Sequence, residues 1–246
     1  MALLACAGPM GLGRLTYAMN AHPRPKRMVV ADINKERLAR AERLFPKEKA
    51  EKLGMELHFI NTAEVDDPKA AMLALNEGKG YDDVLVYAPV APVVELADSI
   101  LGYDGCINFF AGPVDTQFSA KFNFYNVHYN ATHLEGTGGN NDDLPETLEM
   151  TAKGQIDPAV MIPHVGGLDC AAEATLNLLK IPGGKKLIYP GATMPLTAID
   201  DFEKLGETDP FFKKLHELCA KHNGLWNAEA EAYFIEQKCY NYEEVR

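Results

Sequence analysis

A turn of small residues near the beginning of the chain, with an aspartate 21 residues after its last glycine, forms the strongest chemical pattern in the sequence. Gly8, Pro9, Met10 and Gly11 lie in the run LLACAGPMGLG, and Asp32 ends the apolar run KRMVVAD. Glycines in such a turn let backbone N–H groups approach a pyrophosphate at the N-terminus of a helix. An acid at the end of the next strand bonds the ribose hydroxyls of a dinucleotide and repels a 2′-phosphate. The pattern therefore predicts a site for NAD(H) in preference to NADP(H).

The glycine fingerprint of dinucleotide sites is incomplete here. Its glycines would fall at positions 6, 8 and 11, and Cys6 occupies the first of them. We expect Cys6 to adopt a negative φ, so that glycine is not required there. The alternative interpretation is a structural turn followed by a surface aspartate. Arg37 is either a solvated helix residue or a cover for the adenine ring.

Strand and helix patterns alternate through the first two thirds of the chain. The strand-like runs are largely apolar rather than apolar at every second residue, which is typical of parallel strands covered on both faces. This predicts an α/β fold, a doubly wound parallel sheet of the Rossmann type. Ligands of such sheets bind outside the carboxyl ends of the strands. Ala88 and Ala111, which follow the fourth and fifth predicted strands, are therefore expected to flank the nicotinamide. The alternative interpretation is that they are only turn residues at the ends of strands.

The pattern changes after about residue 114, and the sequence predicts two domains. Residues 1–155 form the dinucleotide-binding domain, which includes a strand over 131–136 and a helix capped by Asp142 or Asp143. Residues 156–246 form a C-terminal segment with helices near 169–179, 209–222 and 226–237 and a strand in KKLIYP. This segment is predicted to be part of a second domain.

Composition excludes several classes of function. The chain has 246 residues and a formal net charge of −11, which argues against nucleic acid or an anionic membrane as a partner. The five cysteines are scattered and odd in number, and the seven histidines show no ligand spacing, so no metal site is predicted in this chain. Scattered thiols favour the reducing cytoplasm.

Two stretches carry a resemblance to a known family. AGPMGLG together with VVADINKERLARAE resembles the NAD-binding half of the medium-chain, zinc-dependent alcohol and sorbitol dehydrogenases. HLEGTGGNNDDLPETLEM and the segment from AVMIPHVGGLD to NGLWNAEAEAYF are similar to the sorbose-1-phosphate reductase subgroup. The resemblance implies hydride transfer between NAD(H) and a polyol or sugar phosphate, with Gly8, Pro9, Met10, Gly11, Asp32 and Arg37 at the cofactor. It also implies a homodimer formed by edge strands near residues 131–136.

In this family a separate N-terminal domain supplies the catalytic zinc ligands and most of the proton relay. The resemblance therefore implies that this domain is missing, that the chain is a fragment inactive alone, and that zinc binds only to a full-length protein. No catalytic residue is assigned, and His164 is expected to be structural. The alternative function is a non-catalytic dinucleotide-binding or sensing module. A zinc-free short-chain reductase is disfavoured because no Tyr-x-x-x-Lys pair occurs.

Overall fold

The computed structural model describes residues 1–4, 6–178, 180–181, 183 and 185–239. The chain divides into two compact units, Met1–Asp157 and Pro158–Arg246. Each unit has its own sheet and its own buried core.

The first unit is built on a six-stranded sheet in the order β3-β2-β1-β4-β5-β6. All neighbouring strands in it are parallel. The strands are β1 (Ala2–Leu4), β2 (Arg27–Asp32), β3 (Glu56–Asn61), β4 (Tyr81–Val86), β5 (Leu101–Phe109) and β6 (His133–Gly136). This is the strand order of the Rossmann fold, and the α/β class predicted from the sequence is confirmed.

Helices connect these strands. They are α1 (Pro9–Asn20), α2 (Lys35–Leu44), α3 (Lys47–Lys52), α4 (Pro68–Ala74), α5 (Ala91–Ser99), α6 (Phe124–Tyr129) and α7 (Asp143–Ala152). Several begin at side chains that accept hydrogen bonds from first-turn N–H groups, as Asn34 does for α2, Asp67 for α4 and Asn123 for α6. Asp142 is the N-cap residue of α7, but its side chain makes no capping hydrogen bond.

The core of the first unit lies between the sheet and the helices. Val29 and Ala31 of β2 and Val84 and Val86 of β4 are almost fully buried and belong to one apolar cluster. Helix α5 contributes Val94 and Ala97 to this cluster, and Ile100, directly after the helix, also belongs to it. The sheet thereby fixes the carboxyl ends of β1, β2 and β4 relative to one another.

The second unit contains a smaller mixed sheet in the order β8-β7-β9. Its elements are β7 (His164–Gly167), α8 (Ala171–Leu176), β8 (Lys186–Tyr189), β9 (Thr197–Ala198), α9 (Phe202–Leu205), α10 (Pro210–Ala220) and α11 (Ala228–Lys238), with 3₁₀ turns at Pro158–Met161, Leu168–Cys170 and Ile199–Asp201. Aromatic side chains fill its core: Phe234 lies 4.8 Å from Tyr189 and 5.9 Å from Trp226 between ring centroids. Leu179, at the end of the helix predicted over 169–179, lies outside the described residues.

Candidate functional site

The glycine turn connects β1 to α1 at the carboxyl edge of the sheet. β1 has β2 on one side and β4 on the other, so the order of connections reverses beside it. In open α/β sheets this reversal point forms the crevice in which ligands bind. The turn therefore lies where the fold provides a binding site.

The N-terminus of α1 leaves backbone donors available. Gly8 is its N-cap residue with φ −79° and ψ 177°, no side chain caps the helix, and Pro9 occupies the first turn. Within the described ranges, the N–H groups of Met10 and Gly11 have no intramolecular acceptor; the first N–H bonded in the helix is that of Leu12, at 3.0 Å from the Gly8 carbonyl oxygen. No acidic residue lies in the first turn. Two free N–H groups and a positive dipole end suit an anion such as a pyrophosphate.

Gly11 lies where α1 packs closely against the backbone of Cys6, between β1 and the helix. A Cβ at this position would be 1.7 Å from the carbonyl oxygen of Cys6 and 2.7 Å from its Cβ. Only glycine allows the helix this approach. Cys6 is not among the described residues with a positive φ, in agreement with the expectation from the sequence.

Asp32 lies at the end of β2, is 4% exposed, and is tied to the glycine turn. One carboxylate oxygen accepts a hydrogen bond from the Ala7 N–H at 3.0 Å, and the other accepts one from the Asn34 N–H at 3.0 Å. Each oxygen has a further lone pair for a hydroxyl donor. The structure thus gives Asp32 a role within the protein itself, while its predicted contact with a ribose remains a prediction.

Arg37 places a cation on the β2 side of the turn. Its guanidinium Nη1 is 4.0 Å from the position that a Cβ on Gly8 would take, and its side chain is exposed. The N-cap residue Asn34 holds the backbone of Arg37 through a 2.9 Å hydrogen bond. The Cβ position of Gly8 is otherwise open, so the backbone there is accessible to a ligand.

Ala88 and Ala111 follow β4 and β5 at the same edge of the sheet. The Ala111 N–H donates to the Val86 carbonyl at 3.0 Å, which holds the two strand ends together. Ala111 is buried and Ala88 is half-buried. Beside them the rings of Tyr87 and Phe110 lie 5.1 Å apart.

Arg14, on the second turn of α1, belongs to no motif of the sequence. Its Nε is buried and has no hydrogen-bond partner among the described residues, and its guanidinium carbon lies 5.0 Å from the centre of the Tyr17 ring. Arg14 is the one charged side chain in α1, whose sequence is PMGLGRLTYAMN. A single charged residue in an otherwise uncharged helix is the sequence feature that distinguishes Arg14.

The structure gathers no metal-binding cluster in the part of the chain that it describes. No three His, Cys, Asp or Glu side chains there come together to hold an ion. His164 is buried on β7 and its Nδ1 has no described partner. Burial and the positive charge of Lys186 lower the pKa of His164, although Asp201 and Asp200 act in the opposite direction. Among the described helices, none is both long and apolar enough to cross a membrane.

Comparison with known proteins identifies the family. The sequence profile described as zinc-binding dehydrogenase matches residues 11–153, which is more than half of the chain. The chain belongs to the zinc-binding dehydrogenase family. The resemblance drawn from the glycine turn and Asp32 is confirmed.

Two curated relatives align with nearly all of this chain. The chain is 55% identical over 237 residues to the mannitol-1-phosphate 5-dehydrogenase of Aliivibrio fischeri, a match that covers 96% of this chain and 56% of that protein. It is 40% identical over 234 residues to the L-sorbose 1-phosphate reductase of Klebsiella pneumoniae, covering 95% of this chain and 54% of that protein. The chain spans about half the length of the curated relatives it matches.

Solved structures show the same fold. The 2R,3R-butanediol dehydrogenase of Bacillus subtilis superposes with a TM-score of 0.60 at 20% identity, over 77% of this chain and 50% of that chain. At this level of identity the likeness concerns the fold alone.

Proposed function

We propose that this chain is the cofactor-binding portion of an NAD-dependent oxidoreductase that transfers a hydride to or from a polyol or a sugar phosphate. The observation that carries the proposal is the uncapped N-terminus of α1 at the reversal point of the sheet. Its free N–H groups and the accessible backbone at Gly8 fit a dinucleotide pyrophosphate. Family membership and the names of the two curated relatives support the substrate class.

Each proposed contact has a physical basis in this chain. The Met10 and Gly11 N–H groups bind the pyrophosphate, Asp32 bonds the adenosine ribose, and Arg37 lies over the adenine side. Pro9 presets the helical φ of the first turn, while Ala88 and Ala111 border the nicotinamide. When bound, the nicotinamide supplies the hydride chemistry.

Zinc does not fit the described residues. A catalytic zinc needs about three protein ligands with nitrogen, sulfur or oxygen donors, and no such group exists in the ranges that the structure describes. We therefore assign zinc to none of the described residues, and propose that it binds only to a full-length protein.

We propose that the chain forms a homodimer through an edge strand. We also propose that the protein is located in the cytoplasm. β6 pairs with β5 on one side and lies at the edge of the sheet, and all 4 of its residues are exposed. An open edge strand is suited to pairing with a second copy. Sedimentation of the chain as a monomer at high concentration would contradict this. The free thiols, none of which forms a disulfide, are consistent with a reducing compartment.

Titration of NADH fluorescence tests the cofactor assignment. We expect NADH to bind at least tenfold more tightly than NADPH, because the Asp32 carboxylate repels a 2′-phosphate, a difference of about 1.4 kcal/mol or more. Asp32→Ala should bring the two affinities within about threefold and lower Tm, since the Ala7 and Asn34 N–H groups lose their acceptor at about 1–3 kcal/mol each. Asp66→Ala removes an exposed acid of equal charge and serves as the control.

The outcomes separate two errors. Equal affinities for NADH and NADPH in the unmodified chain would remove Asp32 from the ribose site. Absence of NADH binding altogether would overturn the proposed function.

A further inference from the structure

A cavity lies between α5, α6 and the strands β5 and β6 of the first unit. Its volume is about 200 Å³, well above the roughly 30 Å³ that one water molecule occupies in the liquid. Most of its wall is apolar and consists of Leu101, Ile107, Phe122, Phe124, Val127 and Leu134. Phe124, Val127 and Leu134 are exposed, so the rim of the cavity reaches solvent and a small molecule can enter.

A buried carboxylate lines this cavity. Asp98 is 6% exposed, and one of its oxygens accepts a hydrogen bond from the Asn123 N–H at 2.9 Å. Within the described ranges, no cation pairs with Asp98 and its other oxygen has no hydrogen-bond partner. Buried charges in proteins are as a rule paired. The site therefore lacks a cation.

The contact with Asn123 does not by itself account for an acid at this position. Asn123 is the N-cap residue of α6, and its own side chain already caps that helix by accepting from the Tyr125 N–H at 3.1 Å. Asp98 lies in the last turn of α5, where the negative end of the helix dipole disfavours a carboxylate. An asparagine would accept the same hydrogen bond without that cost. The negative charge therefore needs a reason other than the hydrogen bond to Asn123.

Thr132 adds a second polar group to the cavity. It is buried, and among the described residues its hydroxyl has no hydrogen-bond partner. A hydroxyl oxygen accepts hydrogen bonds from N–H donors. The other polar residue of the wall, His133, is held by Asp104, whose carboxylate oxygen lies 2.9 Å from the His133 Nε2. Asp98 and Thr132 are thus the two acceptors that the cavity offers to a ligand.

The aromatic part of the wall suits a cation that carries an apolar group. Aromatic rings attract cations through their faces and pack against apolar groups, and Phe122 and Phe124 both line the cavity. A second cavity, of about 490 Å³, shares Phe122 and Leu134 with the first. An apolar group that passes these two side chains therefore has further space beyond them.

We propose that this cavity binds a primary ammonium ion that carries a small aromatic or aliphatic group. The ammonium donates hydrogen bonds to the free oxygen of Asp98 and to the Thr132 hydroxyl, and the apolar group lies against Phe122. Leu101 and His133 are the first residues of β5 and β6, so the cavity opens toward the amino edge of the sheet. The glycine turn lies at the carboxyl edge. The ligand is therefore a molecule other than the dinucleotide, and this inference does not rest on the proposed function.

Calorimetric titration with 2-phenylethylammonium tests the charge and the apolar part of the ligand separately. Phenylacetate keeps the ring but carries the opposite charge, and ethylammonium keeps the charge without the ring. We expect 2-phenylethylammonium to bind about tenfold or more tightly than either comparison ligand. Equal or tighter binding of phenylacetate would overturn the proposal, as would no heat of binding from 2-phenylethylammonium.

Asp98→Asn removes the charge and retains an oxygen that accepts from the Asn123 N–H. The variant should bind 2-phenylethylammonium about tenfold or more weakly than wild type, because the ammonium loses its charged partner. Glu95→Gln is the matched control. Glu95 belongs to the same helix, its carboxylate also accepts from a backbone N–H, that of Lys121 at 3.3 Å, and it does not line the cavity. Its affinity should stay within about twofold of wild type.

Val127→Phe keeps the proposal testable if Asp98→Asn does not fold. The larger side chain narrows the cavity from its exposed rim and leaves the carboxylate in place, so binding should again weaken about tenfold or more. Wild-type affinity in either variant would overturn the proposal. Displacement of 2-phenylethylammonium by NADH would also overturn it, because the glycine turn lies at the opposite edge of the sheet.

Discussion

The two glycines of the turn should respond differently to the same added methyl group. In Gly11→Ala the new Cβ would lie 1.7 Å from the Cys6 carbonyl oxygen and 2.5 Å from its carbonyl carbon. Non-bonded atoms pack best at about 3.5–4.0 Å, so α1 and the Cys6 backbone must separate by roughly 2 Å. Neither partner is a flexible side chain, and the strain must be relieved by moving backbone.

The expected magnitude follows from that displacement. Overpacking by a single group costs about 1–3 kcal/mol, and we place Gly11→Ala at the upper end because backbone must move. For a unit of this size about 3 kcal/mol lowers Tm by roughly 6–12 °C. The Met10 and Gly11 N–H groups move with the helix, so NADH should bind more than tenfold more weakly, a loss above about 1.4 kcal/mol.

Gly8→Ala is the matched control. The nearest atom to its new Cβ is the Arg37 guanidinium at 4.0 Å, and the φ of −79° suits any residue. Its Tm should stay within about 2 °C of wild type, a surface effect below about 0.5 kcal/mol. NADH should nevertheless bind at least tenfold more weakly, because the methyl group obstructs the approach of the pyrophosphate.

Differential scanning calorimetry and NADH fluorescence titration measure the two effects separately. A wild-type Tm for Gly11→Ala would show that α1 does not need its close contact with Cys6. Wild-type NADH affinity in Gly8→Ala would show that the pyrophosphate does not lie on this turn.

Two further changes test the packing around the site and the second unit. Cys6→Gly restores the fingerprint glycine. Because Cys6 has no positive φ, NADH affinity should change less than about threefold, and a tenfold gain would contradict this. The Tm should fall by a few degrees, because loss of the buried thiol costs about 1–2 kcal/mol. The pKa of His164 in the folded protein lies below its ordinary value of 6.5. Below pH 6.5 the unfolded chain therefore binds more protons than the folded chain. The second unit loses stability as the pH falls toward the pKa of the folded state. Denaturant titrations should therefore show that, from pH 7 to pH 5, His164→Gln loses less free energy of unfolding than wild type. The exposed His128→Gln is the control. An equal pH dependence of the free energy of unfolding in all three proteins would refute the assignment.

Local sequence predicted the elements that carry strong local signals. The glycine turn and the proline after it marked the beginning of α1, and the apolar runs marked β2, β4 and β5. Helix α3 was missed because it is 6 residues long and mostly charged, with Ala50 as its buried residue. Helix α6 was missed because its aromatic and asparagine-rich sequence, Phe124–Tyr129, has no buried residue to produce a periodic pattern.

The helix predicted over residues 169–179 is shorter in the structure. It begins as the 3₁₀ turn Leu168–Cys170 and continues as α8, which ends at Leu176. The Leu176 side chain is 85% exposed, so the helix has little apolar packing to extend it. Helix length here depends on tertiary contacts that sequence pattern does not record.

The candidate site was predicted only where its residues are close in sequence. Gly8, Gly11 and Asp32 follow a spacing rule, because the turn and the following strand are close in sequence. The two hydrogen bonds of Asp32 to backbone N–H groups and the surroundings of Arg14 depend on how strands and helices pack. Tyr87, which follows β4, and Ala111, which follows β5, are both more than 70 residues from Gly11 in sequence. No local pattern joins residues at that separation.

The central position of β1 has a consequence for how the protein emerges from the ribosome. Ala2 lies opposite Val29 in β2 on one side and opposite Val84 in β4 on the other. At about 5–20 residues per second, β4 is synthesised roughly 3–10 s after β2.

During that interval the edge of β1 that β4 will cover has no partner strand. Hydrogen-bonding groups at the middle of the future sheet are then open to other chains, as at an edge strand. The ligand crevice also cannot exist until Val86 has paired, since β4 forms one of its walls. A dinucleotide that binds in this crevice can therefore stabilise the first unit only after that interval has ended.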